Sequence, residues 1–160
     1  VTPVFYGGHH ERGVRPGTEN VAAIVGLAQA MDLAEQERDR FSKKMYHLRS
    51  ILEKGITRNV EKVKINGHPD KRLPNLTNLS FHAVDGETLL YVLDSKGIAV
   101  STGAACSSGS TGVSHVLSAM GLPSEQAGSS IRFSLGRLNS EEDIHFVLEQ
   151  ITDIIPRLRK

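Results

Sequence analysis

Cys106 is the single cysteine of the 160-residue chain, and it lies in the run Ser101-Thr-Gly-Ala-Ala-Cys106-Ser-Ser-Gly-Ser110. A stretch of Ser, Thr, Gly and Ala has no bulky apolar group with which to build a core, so it reads as a loop. A thiol on such a tether can swing, which is useful if its sulfur must visit two places. Free cysteine is more often buried as a small hydrophobe, but here the neighbours that would bury it are missing. No basic residue stands within several positions, so any lowering of the thiol pKa must come from the fold or from a helix N-terminus. Spacing alone does not make Cys106 a nucleophile.

Two other places carry chemistry. Ser129-Ser-Ile-Arg-Phe-Ser-Leu-Gly136 alternates, with Ile131, Phe133 and Leu135 on one face and Ser130, Arg132 and Ser134 on the other. Arg132 is therefore either a solvated arginine or a fixed guanidinium for an anionic substrate, and a strand is rigid enough for the second task. Gly7-Gly-His-His-Glu-Arg-Gly13 and Val14-Arg-Pro-Gly-Thr-Glu-Asn20 form a loop rich in Gly, His and Arg. Such a loop suits either a plain connector or a ligand contact, since Gly admits close approach and Arg offers a fork for carboxylate or phosphate. His82, alone beside a turn, reads as structural or solvated.

The elements that must position these residues follow from periodicity. Residues 20–54 are read as a helix, with Leu27, Met31, Ala34, Phe41, Met45, Leu48 and Leu52 at steps of three and four and Gly55 as its stop. That stripe is expected to pack on a sheet or on a neighbouring subunit. Residues 61–66 and 75–81 are read as strands, the second buried on both sides. Asp85 is the expected N-cap of a helix reaching Asp94, with Gly97 beyond its end. Residues 98–100 are read as a short strand and 114–120 as a helix. Ser140-Glu-Glu-Asp143 opens a last helix with a capping box, whose final turn Pro156 should fray or kink. The fold class is thus an α/β, two-layer sandwich: a small, mostly antiparallel sheet covered by helices on one face, with a long N-terminal helix.

Composition narrows the function. Lys and Arg number 19 against 18 acidic residues and are interspersed with them, which argues against a nucleic-acid-binding domain. One cysteine excludes an internal disulfide, and no Cys/His spacing suggests a metal site. No apolar run is long enough to span a membrane and no secretory signal pattern opens the chain, so the cytoplasm is the expected compartment. The opening Val1-Thr-Pro-Val-Phe-Tyr6 looks like the end of a strand, as in a piece of something longer.

Four motifs, in order, resemble one family. They are Gly7-Gly-His-His-Glu-Arg-Gly13 with Arg15-Pro-Gly-Thr-Glu-Asn20, Arg72-Leu-Pro-Asn75 with Asn78, Ser101-Thr-Gly-Ala-Ala-Cys-Ser107, and Ile131-Arg-Phe-Ser-Leu-Gly-Arg137. They are similar to the GGGHERG…R(P/S)GT, RLPN-x-x-N, SSGSAC(T/S) and IRFSLGR segments of cysteine desulfurases of the NifS/IscS type, within the class V, fold-type I pyridoxal-phosphate enzymes. The long Ser/Gly-rich loop resembles the group with a mobile catalytic cysteine.

The resemblance implies that L-cysteine is converted to L-alanine while its sulfur passes to Cys106 as a persulfide, for delivery to a sulfur-acceptor or scaffold protein. It implies further that Arg132 holds the substrate carboxylate, and that Thr18 reaches the cofactor phosphate across a homodimer. The family's cofactor lysine lies in an S-x-H-K-x-x-G-P-K-G-x-G segment upstream of the GGGHERG loop, which has no counterpart here. By this resemblance residues 1–20 enter from a large cofactor domain, and residues 21–160 form the C-terminal small domain with a cysteine loop at about 101–113. Such a piece would not turn over alone. His9 stands at the third glycine of the family pattern, Ala105 at a serine and Val113 at a common proline. A selenocysteine lyase or related class V lyase shares the Arg-Pro-Gly-Thr loop, and a non-catalytic docking or dimerisation domain would also lack the lysine segment; both remain open at this point.

Overall fold

The computed structural model describes residues 1–102 and 113–159. It divides into two compact units, Val1–Asp39 and Arg40–Lys160. Helix α1, Val21–Asn59, begins in the first and ends in the second. Then come β1 (Val63–Asn66), β2 (Leu76–Phe81), α2 (Gly86–Asp94), α3 (His115–Ala119), α4 (Ser124–Gly128), β3 (Ser130–Ser134) and α5 (Glu141–Leu158).

In the first unit the Gly-rich loop tightens into a 3₁₀ turn over His10–Gly13. Its left-handed positions are Glu11, Arg12 and Gly13, at φ 50°, 58° and 77°, whereas His9 sits at φ −79°. The position where the family has its third glycine therefore asks nothing of His9 that an L-residue resists. Arg15 folds back to donate from Nη1 to the carbonyl of Gly17 at 2.9 Å, and Asn20 Oδ1 caps α1 by accepting from the Ala23 amide at 3.0 Å. The apolar residues of this part of the helix, among them Ile24, Leu27 and Met31, are exposed.

The second unit is built on a three-stranded antiparallel sheet in the order β1-β2-β3. Leu79 faces Ile65 on one side and Ile131 on the other, and Thr77 faces Phe133. That face joins Met45, Leu48, Leu52 and Ile56 of α1, Leu89 and Leu93 of α2, and Ile144, Ile151 and Ile155 of α5 in one buried cluster. Burying each such side chain contributes roughly 1.5–3 kcal/mol, and this cluster holds the unit together. The expected α/β two-layer sandwich is what forms.

Several expectations need correction. Gly55 does not end α1, which runs on to Asn59; a Cβ there would come within 2.5 Å of Leu148 Cδ1. Gly55 thus serves the close approach of α5, and the helix tolerates it. The apolar stripe is packed on the buried cluster from Phe41 onward, whereas Leu27 and Met31 are exposed. Residues 98–100 are not a strand; pairing starts at Ser101, which bridges Arg132. Pro156, expected to fray or kink the last turn, stands inside α5, which ends two residues later at Leu158. Helix α4 went unread, being only five residues long and too short for periodicity to register.

The caps hold as expected. Ser140 and Asp143 form the full capping box, and Asp85 Oδ1 accepts from the Thr88 amide at 2.8 Å. That amide, followed by the Thr88 hydroxyl, holds the Asp85 carboxyl below its ordinary 3.8. A depressed carboxyl stabilises the fold above its unfolded pKa, and that contribution is lost as pH falls through the folded pKa. Asp85→Ala should therefore cost about 1 kcal/mol at neutral pH. In urea titrations the gap to the native chain should narrow at about pH 3.

Candidate functional site

The second face of the sheet is polar, and its register aligns the candidate residues. Asn66 of β1 pairs with Asn78 of β2, and Asn78 with Arg132 of β3. Beyond them Ser101 exchanges two backbone bonds with Arg132, its amide donating at 3.2 Å and its carbonyl accepting at 2.7 Å. Asn66, Asn78, Arg132 and Ser101 thus form one row across the sheet. Because Arg132 gives both backbone groups to Ser101, its pairing with Asn78 is of the non-hydrogen-bonded kind, in which opposed Cα atoms approach to about 4.5 Å and side chains lie close.

The next row is sealed. Ser80 and Ser130, paired across β2 and β3, join hydroxyls at 2.8 Å, and both residues are buried. Asn66 Nδ2 donates to Ser80 Oγ and to Asn78 Oδ1, each at 2.6 Å. Helix α4 closes the network: Gln126 Nε2 donates to Asn66 Oδ1 at 2.9 Å, and the Gln126 carbonyl accepts from Ser130 Oγ at 2.7 Å. Satisfied on all sides, this layer is a stiff floor rather than a cost.

Arg132 is exposed, on the polar face as its alternation predicts. It lines a groove of about 280 Å³ together with Asn78, Arg72, Ser114 and Leu117. A second guanidinium therefore faces the groove, but its charge is already answered. Arg72 Nη2 donates to Glu53 Oε2 at 2.8 Å, and Nη1 lies 2.8 Å from Oε1 as an ion pair off the hydrogen-bonding axis. Glu53 also faces Arg49 Nε at 3.7 Å. Arg49, itself buried, donates to the Leu73 carbonyl. The carboxylate thus clamps the segment before β2 onto α1. The Arg132 guanidinium has no hydrogen bond or ion pair among the described residues, and it is the cation left for a ligand.

Thr18 is exposed and belongs to the first unit. Cys106 lies outside the described residues. His82 is exposed, 3.9 Å from Glu125, in keeping with its reading as solvated. Among the described residues no His/Cys/Asp/Glu cluster could hold a metal, and no helix is long and apolar enough to cross a membrane. Sequence reasoning missed the Asn66–Ser80–Ser130–Gln126 network and the Glu53 clamp. The alternation of Ser130 and Arg132 was visible; the strand register that pairs them with Asn78 was not.

The class-V aminotransferase family matches residues 6–147. The chain belongs to that family. It is 45% identical to a cysteine desulfurase IscS of Methanosarcina thermophila over 99% of its own length and 39% of that protein's. It is 43% identical to a cysteine desulfurase NifS of Azotobacter vinelandii, covering 98% of this chain and 39% of that one. A NifS-like protein of known structure superposes with a TM-score of 0.83 at 36% identity, covering 99% of this chain and 40% of the other. The NifS-like protein of Rickettsia africae gives 0.81 at 35% identity, covering 97% and 40%. The chain thus spans about two fifths of the length of the curated relatives it matches.

The family implies pyridoxal phosphate. The described residues are not by themselves a site for it: Thr18 offers one exposed hydroxyl, and the groove beside Arg132 has no lysine in its lining.

The clamp gives a direct test. Glu53→Ala leaves Arg49 and Arg72 without their carboxylate in a site that is mostly closed to water. Unfolding in guanidinium should show a loss of about 3 kcal/mol, and Glu53→Gln, which keeps an acceptor, a smaller one.

Proposed function

We propose that this chain is part of a pyridoxal-phosphate-dependent cysteine desulfurase, which converts L-cysteine to L-alanine and takes the sulfur onto Cys106. The remainder of the protein supplies the cofactor lysine, and the whole works as a homodimer in the cytoplasm. Thr18 serves the cofactor phosphate. The single observation that carries the reading is Arg132: a guanidinium without a partner among the described residues, fixed in a strand, at the residue paired with Ser101. The substrate carboxylate takes that guanidinium in a fork that a lysine amine does not reproduce.

The tether supports the role of Cys106. Only five peptide units separate it from Ser101, so the chain holds its Cα within about 18 Å of the Arg132 bridge at full stretch. Ser114, on the far side of the segment, lines the same groove. The thiolate of Cys106 attacks the substrate sulfur; the S–S bond forms as the substrate's C–S bond breaks, and the carbon takes up a proton to give alanine. The persulfide is then passed to an acceptor protein.

Two measurements test this on the full-length protein supplied with pyridoxal phosphate. Incubation with L-cysteine should add one sulfur to Cys106 by mass spectrometry, and Cys106→Ser should abolish both the adduct and sulfide release. Full activity in Cys106→Ser would overturn the assignment. Arg132→Lys should raise KM for L-cysteine about tenfold or more, the loss of a charge-assisted bidentate contact. An unchanged KM would remove Arg132 from the substrate.

A further inference from the structure

Asn78 stands out among the groove residues because its amide is aimed. Its Oδ1 accepts from Asn66 Nδ2 at 2.6 Å, and Asn66 is buried and held in turn through its own Oδ1 by Gln126 Nε2 at 2.9 Å. That chain of donors fixes which end of the Asn78 amide is the oxygen. The Nδ2 group is the end left over, and it has no partner among the described residues. Asn78 is half-buried, lines the groove, and sits opposite Arg132 in a close-approach pair. A free amide donor thus stands beside a free guanidinium, next to a layer in which the side chains of Asn66, Ser80 and Ser130 are hydrogen-bonded. Arg72 shares the groove but is committed to Glu53.

From this geometry we infer that Asn78 is a specificity-determining residue of the same site, donating from Nδ2 to the carboxylate that Arg132 holds. The inference rests on the reading of Arg132 given above. It adds to it that the recognised group is a carboxylate read by two donors from adjacent strands, with Asn66 and Gln126 as positioning residues. An amine lacking the carboxylate makes neither contact.

The test uses the full-length protein with its cofactor. Asn78→Asp is isosteric and keeps the oxygen that Asn66 needs, but it sets an acceptor against the substrate carboxylate and an anion beside Arg132. KM for L-cysteine should rise more than tenfold while kcat changes by less than about threefold. Inhibition by L-alanine should weaken in step, and inhibition by ethylamine, the same skeleton without the carboxylate, should not change. Asn78→Leu, which removes the donor without adding charge, should give the same pattern at about tenfold. An unchanged KM and unchanged L-alanine inhibition in both variants would overturn the inference, as would equal weakening of L-alanine and ethylamine. Failure of the unmodified full-length protein to convert L-cysteine would instead strike the underlying reading, so the two failures are told apart.

Discussion

The register between β2 and β3 is the constraint on which the site depends. Arg132 turns its backbone outward to Ser101 and its close-pair side inward to Asn78. A one-residue slip would send Arg132 into the apolar cluster and Ile131 or Phe133 into the groove. The buried fit of Leu79 against Ile131 on the opposite face forbids that slip. Packing on one face therefore sets which side chains stand on the other, and the Asn66–Gln126 link then orients the Asn78 amide within that row.

The charges around the groove divide by role. Glu53 takes up Arg72 and Arg49 where water is scarce, and the net effect is to anchor the segment leading into β2. A buried pair of this kind is poor as a source of stability but costly to break, so its value lies in holding one arrangement. Arg132, exposed and without an acidic neighbour among its described contacts, leaves its guanidinium donors without a partner among the described residues. Two arginines within one groove thus do different work because one carboxylate lies nearer to the first.

Much of this was legible in the sequence. Alternation placed Arg132 on the polar side of β3, and the caps at Asp85 and Ser140 followed from local chemistry that acts within a few residues. Gly55 was misread because glycine is both a helix stop and a close-packing residue; only the position of Leu148 on a distant helix decides between them. The 98–100 segment looked like a strand because apolar β-branched residues suit one, yet its backbone finds a ladder only at Ser101. Register, the Asn66–Gln126 link and the Glu53 clamp join residues far apart in the chain, and no local pattern records them. The motifs that resemble the desulfurases pointed to Arg72 and Asn78 without giving a physical reason for either; the clamp and the row supply one.

The sheet's two borders are treated differently. Ser101 covers the middle of β3 by taking its outward amide and carbonyl, so that border is closed where it would otherwise recruit a foreign strand. The opposite border belongs to β1, four residues long, with Lys64 within it and Lys62, at φ 53°, turning the chain away just before it. Short length, a kinked approach and positive charge are the features that keep an open ladder from templating aggregation. The bridge that brings Ser101 to Arg132 therefore also protects the fold from pairing with copies of itself.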